Sequence, residues 1–139
     1  MGARKRERAE KTKEERKDLY IARLRNCPTS PRKMRLVADL IRGKDVMKAS
    51  NILQFTKKEA ALRMQKLLIS ALYNYQEKSG EKWENSDLFV KEVYVDSGRM
   101  LKRIQPAPQG RAHRIRKRSN HVTLILDSEN AAVKIETEA

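Results

Sequence analysis

Residues 88–126 read LFVKEVYVDSGRMLKRIQPAPQGRAHRIRKRSNHVTLIL, and this stretch decides the fold. Leu88 to Asp96 has the Val and aromatic content of a strand, with Val93 and Val95 on one face. Val122-Thr123-Leu124-Ile125-Leu126 is a second strand of the same kind. Between them Pro106, Pro108 and Gly110 mark a turn. The two arms, about 88–104 and 111–126, are expected to form one antiparallel hairpin. At about 3.3 Å per residue each arm spans roughly 50 Å, whereas a globule of this length has a radius of gyration of about 14 Å. The hairpin must therefore project beyond its body. A lone two-stranded ribbon is marginal in water, so the projecting part is expected to be ordered by a partner.

Charge indicates the partner. The 139 residues carry a formal net charge of +14, unevenly placed. Residues 99–121 hold eight Lys and Arg and no carboxylate, and residues 19–53 hold eight against two. Residues 54–98 hold seven of each sign, and residues 122–139 hold one against four. Solvated surfaces mix signs; a run of one sign suggests contact with phosphates, so a nucleic acid is the expected ligand.

Upstream of the hairpin the pattern is helical. Tyr20 to Arg25 reads as a short strand. Ser30-Pro31 then opens a helix, with Ser30 as the cap, Pro31 in the first turn, and Met34, Val37, Leu40 and Ile41 as its apolar stripe. Gly43 ends it. Asp45 caps a second helix carrying Val46, Ala49, Ile52 and Leu53. Thr56-Lys57-Lys58-Glu59 has the form of a capping box. The helix after it places Ala60, Met64, Leu67, Leu68, Ala71, Leu72 and Tyr75 on one face and closes at Ser79-Gly80. Residues 1–18 form a basic N-terminal extension with almost no apolar residue, read as a disordered arm in the free protein. A Glu7–Lys11 pair would support a helix there if contact stabilised it. Residues 19–127 are a single domain, and 128–139 a flexible acidic tail.

Several chemistries have no signature. One cysteine, Cys27, excludes an internal disulfide and a Cys-rich zinc site, and reads as a small apolar residue. No apolar run is long enough for a membrane span, the N-terminus lacks the apolar core of a signal peptide, and Arg6 stands where a myristoylation site needs Ser or Thr. There is no Gly-rich phosphate loop and no nucleophile elbow. His113 and His121 have no Cys or carboxylate at metal-ligand spacing, so no metal and no cofactor is expected. Glu92 and Asp96 share a strand face and read as charge balance for nearby Lys or Arg. Trp83, Tyr20, Tyr73, Tyr75 and Tyr94 could stack on bases, with packing as the default.

Set in order, these residues resemble a known family. Ser30-Pro31-Arg32-Lys33-Met34-Arg35-Leu36-Val37-Ala38-Asp39-Leu40-Ile41-Arg42-Gly43-Lys44 is similar to the signature of large ribosomal subunit protein 22, bacterial type. Ser70-Ala71 and Asn74 follow, then Val95-Asp96, Gly98, Lys102-Arg103-Ile104, Pro106 and Gly110-Arg111-Ala112. Arg114-Ile115, Lys117-Arg118 and His121-Val122-Thr123 close the set. The resemblance runs from about Ala22 to Leu126. It implies an α+β fold: three helices on a three-stranded antiparallel sheet, with a long protruding basic β-hairpin at about 88–126.

The resemblance further implies a non-enzymatic, structural constituent of the large subunit in the cytoplasmic ribosome. Its partners would be large-subunit rRNA of the 23S type, neighbouring large-subunit ribosomal proteins and the nascent peptide, with one monomeric copy per ribosome and no membrane. It would bridge several rRNA domains during assembly, with its body near the tunnel exit. The expected rRNA contacts are Arg23, Arg25, Arg32, Lys33, Arg35, Arg42, Lys44, Arg99, Lys102, Arg103, Arg111, Arg114, Arg116, Lys117, Arg118 and His121. Ile104, Gln105, Pro106, Ala107, Pro108, Gln109, Gly110 and Arg111 would line the exit tunnel. Where the family commonly has Arg-Ala-Lys after Pro106, this chain has Ala107-Pro108-Gln109, which leaves Arg111 as the basic residue nearest the turn. Two rival readings are a free nucleic-acid chaperone, which explains the charge but not the ordered motifs, and an RNA-modifying enzyme using Asp96, Glu92 or His121.

Overall fold

The computed structural model describes residues 3–128, less the side chains of residues 14–18 and 85. The acidic tail beyond Ser128 lies outside these residues. Seven elements follow in order: α1 (Ala3–Asp18), β1 (Tyr20–Cys27), α2 (Pro31–Ile41), α3 (Val46–Phe55), α4 (Glu59–Ser79), β2 (Leu88–Pro106) and β3 (Ala112–Ser128). The sheet is antiparallel in the order β1-β3-β2. The fold is α+β.

One core joins the helices to one sheet face. Met34, Val37, Ala38 and Ile41 of α2 are fully buried, with Leu53 of α3, Met64 and Leu68 of α4, and Val90, Val122, Leu124 and Leu126 of the sheet. Burying side chains of this size is worth about 1.5–3 kcal/mol each, so the body has its own driving force. The α4 stripe is buried as its periodicity predicts, joined by Ala61.

Four local expectations need correction. Leu40 is 42% exposed: the buried positions 34, 37, 38 and 41 keep the i, i+3, i+4, i+7 spacing of one helix face, and Leu40 falls off it. Ser30 is the α2 cap residue but makes no side-chain capping bond; its carbonyl accepts from Lys33 and Met34 N–H. The capping box does not form. Glu59 is the first residue of α4 rather than the third, and Thr56 turns back to donate its hydroxyl to the Ile52 carbonyl at the end of α3. Residues 3–18 are helical rather than an arm without structure, and the ion pair formed there is Arg6–Glu10, not Glu7–Lys11.

Within the body the edge of β2 is covered from Val90 to Val95. Gly43 N–H donates to the Val90 carbonyl and Val90 N–H to the Lys44 carbonyl, while Arg42 and Arg35 donate to the carbonyls of Val93 and Val95. Open strand edges invite pairing with other chains; here α2 and the loop after it occupy the edge.

Candidate nucleic-acid interface

β2 and β3 stay paired beyond the end of β1. β1 last pairs with β3 at Cys27↔Asn120, whereas β2 and β3 pair on from Met100↔Arg118 to Pro106↔Ala112. Seven residue pairs at about 3.3 Å rise give a two-stranded ribbon about 23 Å long. No side chain from Arg99 to Arg118 is buried. The same residues carry all eight cations of the carboxylate-free run.

The register sorts those cations onto two unequal faces, since residues directly opposite in an antiparallel pair point the same way. One face carries Met100, Lys102 and Ile104 opposite Arg118, Arg116 and Arg114. The other carries Leu101, Arg103 and Gln105 opposite Lys117, Ile115 and His113. The first is a row of four cations at every second position of the strands; the second is mixed.

The ribbon springs from an irregular joint. β1 has a register shift between Leu24 and Cys27, and β2 has one between Ser97 and Met100, both opposite Arg118–Val122 of β3. Such bulges bend and twist the strands that hold them. Three consecutive β3 residues clamp the joint to three different segments. The Ser119 hydroxyl donates to the Arg99 carbonyl of β2. Asn120 Nδ2 donates to the Thr29 carbonyl at 2.6 Å, holding the loop before α2. His121 Nδ1 accepts from Asn26 N–H of β1 at 3.0 Å, which places the proton of a neutral ring on Nε2. Asn26 has a φ of 54°, a left-handed conformation that Asn tolerates better than most residues. Asn120 is fully buried, and its Oδ1 has no hydrogen-bond partner among the described residues.

The tip is a tight turn. Ala107 N–H donates to the Arg111 carbonyl at 2.8 Å, and Gln109 and Gly110 are both left-handed, with φ of 61° and 71°. β2 runs to Pro106, two residues beyond the arm expected from the sequence, while β3 begins at Ala112, one residue after the expected start of its arm. Ile104 is 74% exposed; Gln105, Pro106, Pro108, Gln109, Gly110 and Arg111 are exposed, and Ala107 is half-buried.

The remaining basic residues fall into separate groups. Arg23 and Arg25 are exposed on the sheet face opposite the helices, beside His121 and Thr123 in a shallow cleft. Arg32 and Lys33 are exposed in the first turn of α2, next to the loop that Asn120 holds. Arg35 and Arg42 spend donors on β2 carbonyls, and Arg42 also pairs with Asp39 at 2.7 Å. Arg42 and Lys44 lie by the start of β2, away from the ribbon. Sequence reading missed the clamp that Ser119, Asn120 and His121 make with Arg99, Thr29 and Asn26; its trace in the sequence is a polar Ser-Asn-His run entering an apolar strand.

The aromatic and acidic candidates are mostly structural. Tyr20 meets Tyr75 edge-on at 4.6 Å between ring centroids, and Tyr75 donates its hydroxyl to Ser86. Trp83 packs against the core. Tyr94 donates its hydroxyl to Glu92 at 2.8 Å, which raises the Tyr94 pKa above its ordinary value. Glu92 thus balances a hydroxyl rather than a cation. Among the described residues no cluster of three or more His, Cys, Asp or Glu could hold a metal ion.

Comparison with known proteins shows the family. The family model for ribosomal protein L22p/L17e matches residues 22–127, from the middle of β1 to near the end of β3. The chain is 63% identical to the large ribosomal subunit protein uL22 of Christiangramia forsetii over 131 residues, covering 94% of this chain and 97% of that one. It is 60% identical to the uL22 of Flavobacterium johnsoniae, covering 94% and 96%, and 58% identical to that of Bacteroides fragilis with the same coverage. With the family model spanning most of the sheet and the three helices packed on it, the chain belongs to the ribosomal protein L22p/L17e family.

Proposed function

We propose that this protein is a structural constituent of the large subunit of the cytoplasmic ribosome, not an enzyme, and that it works by binding large-subunit rRNA of the 23S type. The observation that carries RNA binding is the ribbon: residues 99–118 hold eight Lys and Arg, no carboxylate and no buried side chain. Cations that replace counterions on phosphates gain affinity from counterion release, and Arg adds bidentate and stacking contacts that Lys cannot make. With Arg23, Arg25, Arg32 and Lys33 on other surfaces, one molecule can touch several rRNA segments and bridge rRNA domains during assembly. Neighbouring large-subunit proteins are its further partners. Membership of the family supports a body near the tunnel exit and a tip, Ile104 to Arg111, that lines the nascent-peptide tunnel. The protein acts as a monomer, one copy per ribosome. None of the described helices is long and apolar enough to cross a membrane.

The test replaces residues 99–118 with a two-residue Asn-Gly turn, which suits a hairpin. The body, whose core lies outside that segment, keeps its cooperative unfolding transition. The variant fails to remain on large subunits through a high-salt wash, and cells relying on it accumulate incomplete large subunits. Wild-type retention of the shortened protein would sink the proposal.

A further inference from the structure

We propose that α1 is a second RNA-binding element, separate from the ribbon, whose N-terminal half grips phosphates through Arg4, Lys5 and Arg8. The inference rests on the rRNA-binding reading above and adds a site to it.

Among its described side chains, hydrophobic burial does not hold this helix in place. Every side chain from Ala3 to Lys13 is exposed, and the only apolar residues among them are Ala3 and Ala9. A polar helix of this length is marginal in water, so α1 draws its order from polar contacts with something else. Its charges say what. Arg4, Lys5, Arg8, Lys11 and Thr12 recur at the i, i+1, i+4, i+7, i+8 spacing of a single face. Glu7 and Glu10, one turn apart, bound that face along one edge, and Glu10 is occupied by Arg6 at 3.1 Å. Among the described residues Arg4, Lys5 and Arg8 engage no carboxylate.

A second observation is independent of the charge count. The first turn of α1 contains Arg4, Lys5 and Arg6 and no acidic residue. The positive end of a helix dipole favours acids there, so three cations oppose the stability of the isolated helix. Local choices that work against local structure mark positions kept for another purpose. A polyanion reverses the sign: unpaired N–H groups at a helix N-terminus already attract phosphate, and Arg4 and Lys5 then add to the attraction. An RNA phosphate backbone is the polyanion that matches a protein already committed to rRNA by its ribbon. An acidic protein surface is the competing occupant.

The experiment measures binding of the full chain to transcribed large-subunit rRNA across a KCl series. Four proteins are compared: wild type, Arg4→Gln/Lys5→Gln/Arg8→Gln, the charge-matched control Lys57→Gln/Lys58→Gln/Lys82→Gln, and Arg114→Gln/Arg116→Gln/Arg118→Gln on the ribbon. Gln keeps helix propensity, and circular dichroism checks the fold. Each lost phosphate contact lowers the slope of log K against log salt by about 0.7–0.9. The α1 variant is expected to lose about two in slope and the control nothing. In reconstituted subunits, crosslinks from α1 go to rRNA. Equal slopes for the α1 variant and wild type, equal losses in the α1 variant and the control, or crosslinks from α1 to protein alone would overturn the inference. If the ribbon variant loses slope and the α1 variant does not, the rRNA reading stands and only the α1 site falls. If neither does, the rRNA reading itself falls.

Discussion

At the scale of single residues, the joint at the base of the ribbon carries the largest consequences. Gly98 sits where a Cβ would lie 2.7 Å from Ser119 Oγ and 3.1 Å from His121 Nε2. Neither neighbour can move freely, because Ser119 is bonded to Arg99 and His121 to Asn26. Gly98→Ala is therefore expected to lower stability by about 1–3 kcal/mol, the usual cost of overpacking, as a reduced urea midpoint. An unchanged midpoint would mean that the joint gives way without resistance. The buried, unpaired Oδ1 of Asn120 fits the same reading. An unsatisfied buried acceptor costs about 1–3 kcal/mol, and the fold accepts it where Asn120 ties the ribbon's root to the loop before α2. Little of this joint could be read from the sequence, since its parts at residues 26, 29, 98–99 and 119–121 meet only after three segments pair.

At the scale of elements, strand parity explains both what could be read and what could not. On β3 one set of alternate residues is apolar in the body, at Val122, Leu124 and Leu126, and becomes Arg114, Arg116 and Arg118 beyond Asn120. β2 hides the equivalent change. Val93 and Val95 face the core, and unbroken alternation would carry Arg99, Leu101 and Arg103 onto that face. The bulge between Ser97 and Met100 instead puts Met100, Lys102 and Ile104 there. The two faces should behave differently. Arg114→Gln/Arg116→Gln/Arg118→Gln is expected to reduce the salt slope for rRNA binding by about two to three. Arg103→Gln/Lys117→Gln, on the mixed face with Leu101 and Ile115, should reduce it by less than about one. Equal losses per charge would show a ribbon gripped evenly on both sides. The helices were easier to read, because α2, α3 and α4 bury stripes at helical spacing. Their ends were harder: Ser30 and Thr56 look like N-terminal caps by residue type, yet neither side chain caps the helix that follows it.

At the scale of the molecule, the chain divides its stabilising forces. The body is held by apolar burial between three helices and one sheet face. Among the described residues no side chain of the ribbon or of α1 is buried, and both elements carry an excess of positive charge. Charge distribution along the sequence located the ribbon correctly, because a run of eight cations with no carboxylate cannot be part of a core. It did not reveal α1 as a helix, because alternating charges without an apolar stripe suit a helix and a coil equally well. On the proposed reading both elements are ordered by a partner, and the account stands or falls on whether that partner is the large subunit. The measurement that tests this most directly is sedimentation of tagged protein from cell lysate through a sucrose gradient after a high-salt wash, with its amount quantified against large-subunit proteins. Salt strips proteins held only by general attraction to nucleic acid, while a ribbon enclosed by RNA is retained. The account predicts one copy on each large subunit after the wash; release to the top of the gradient, or migration with DNA, would contradict it.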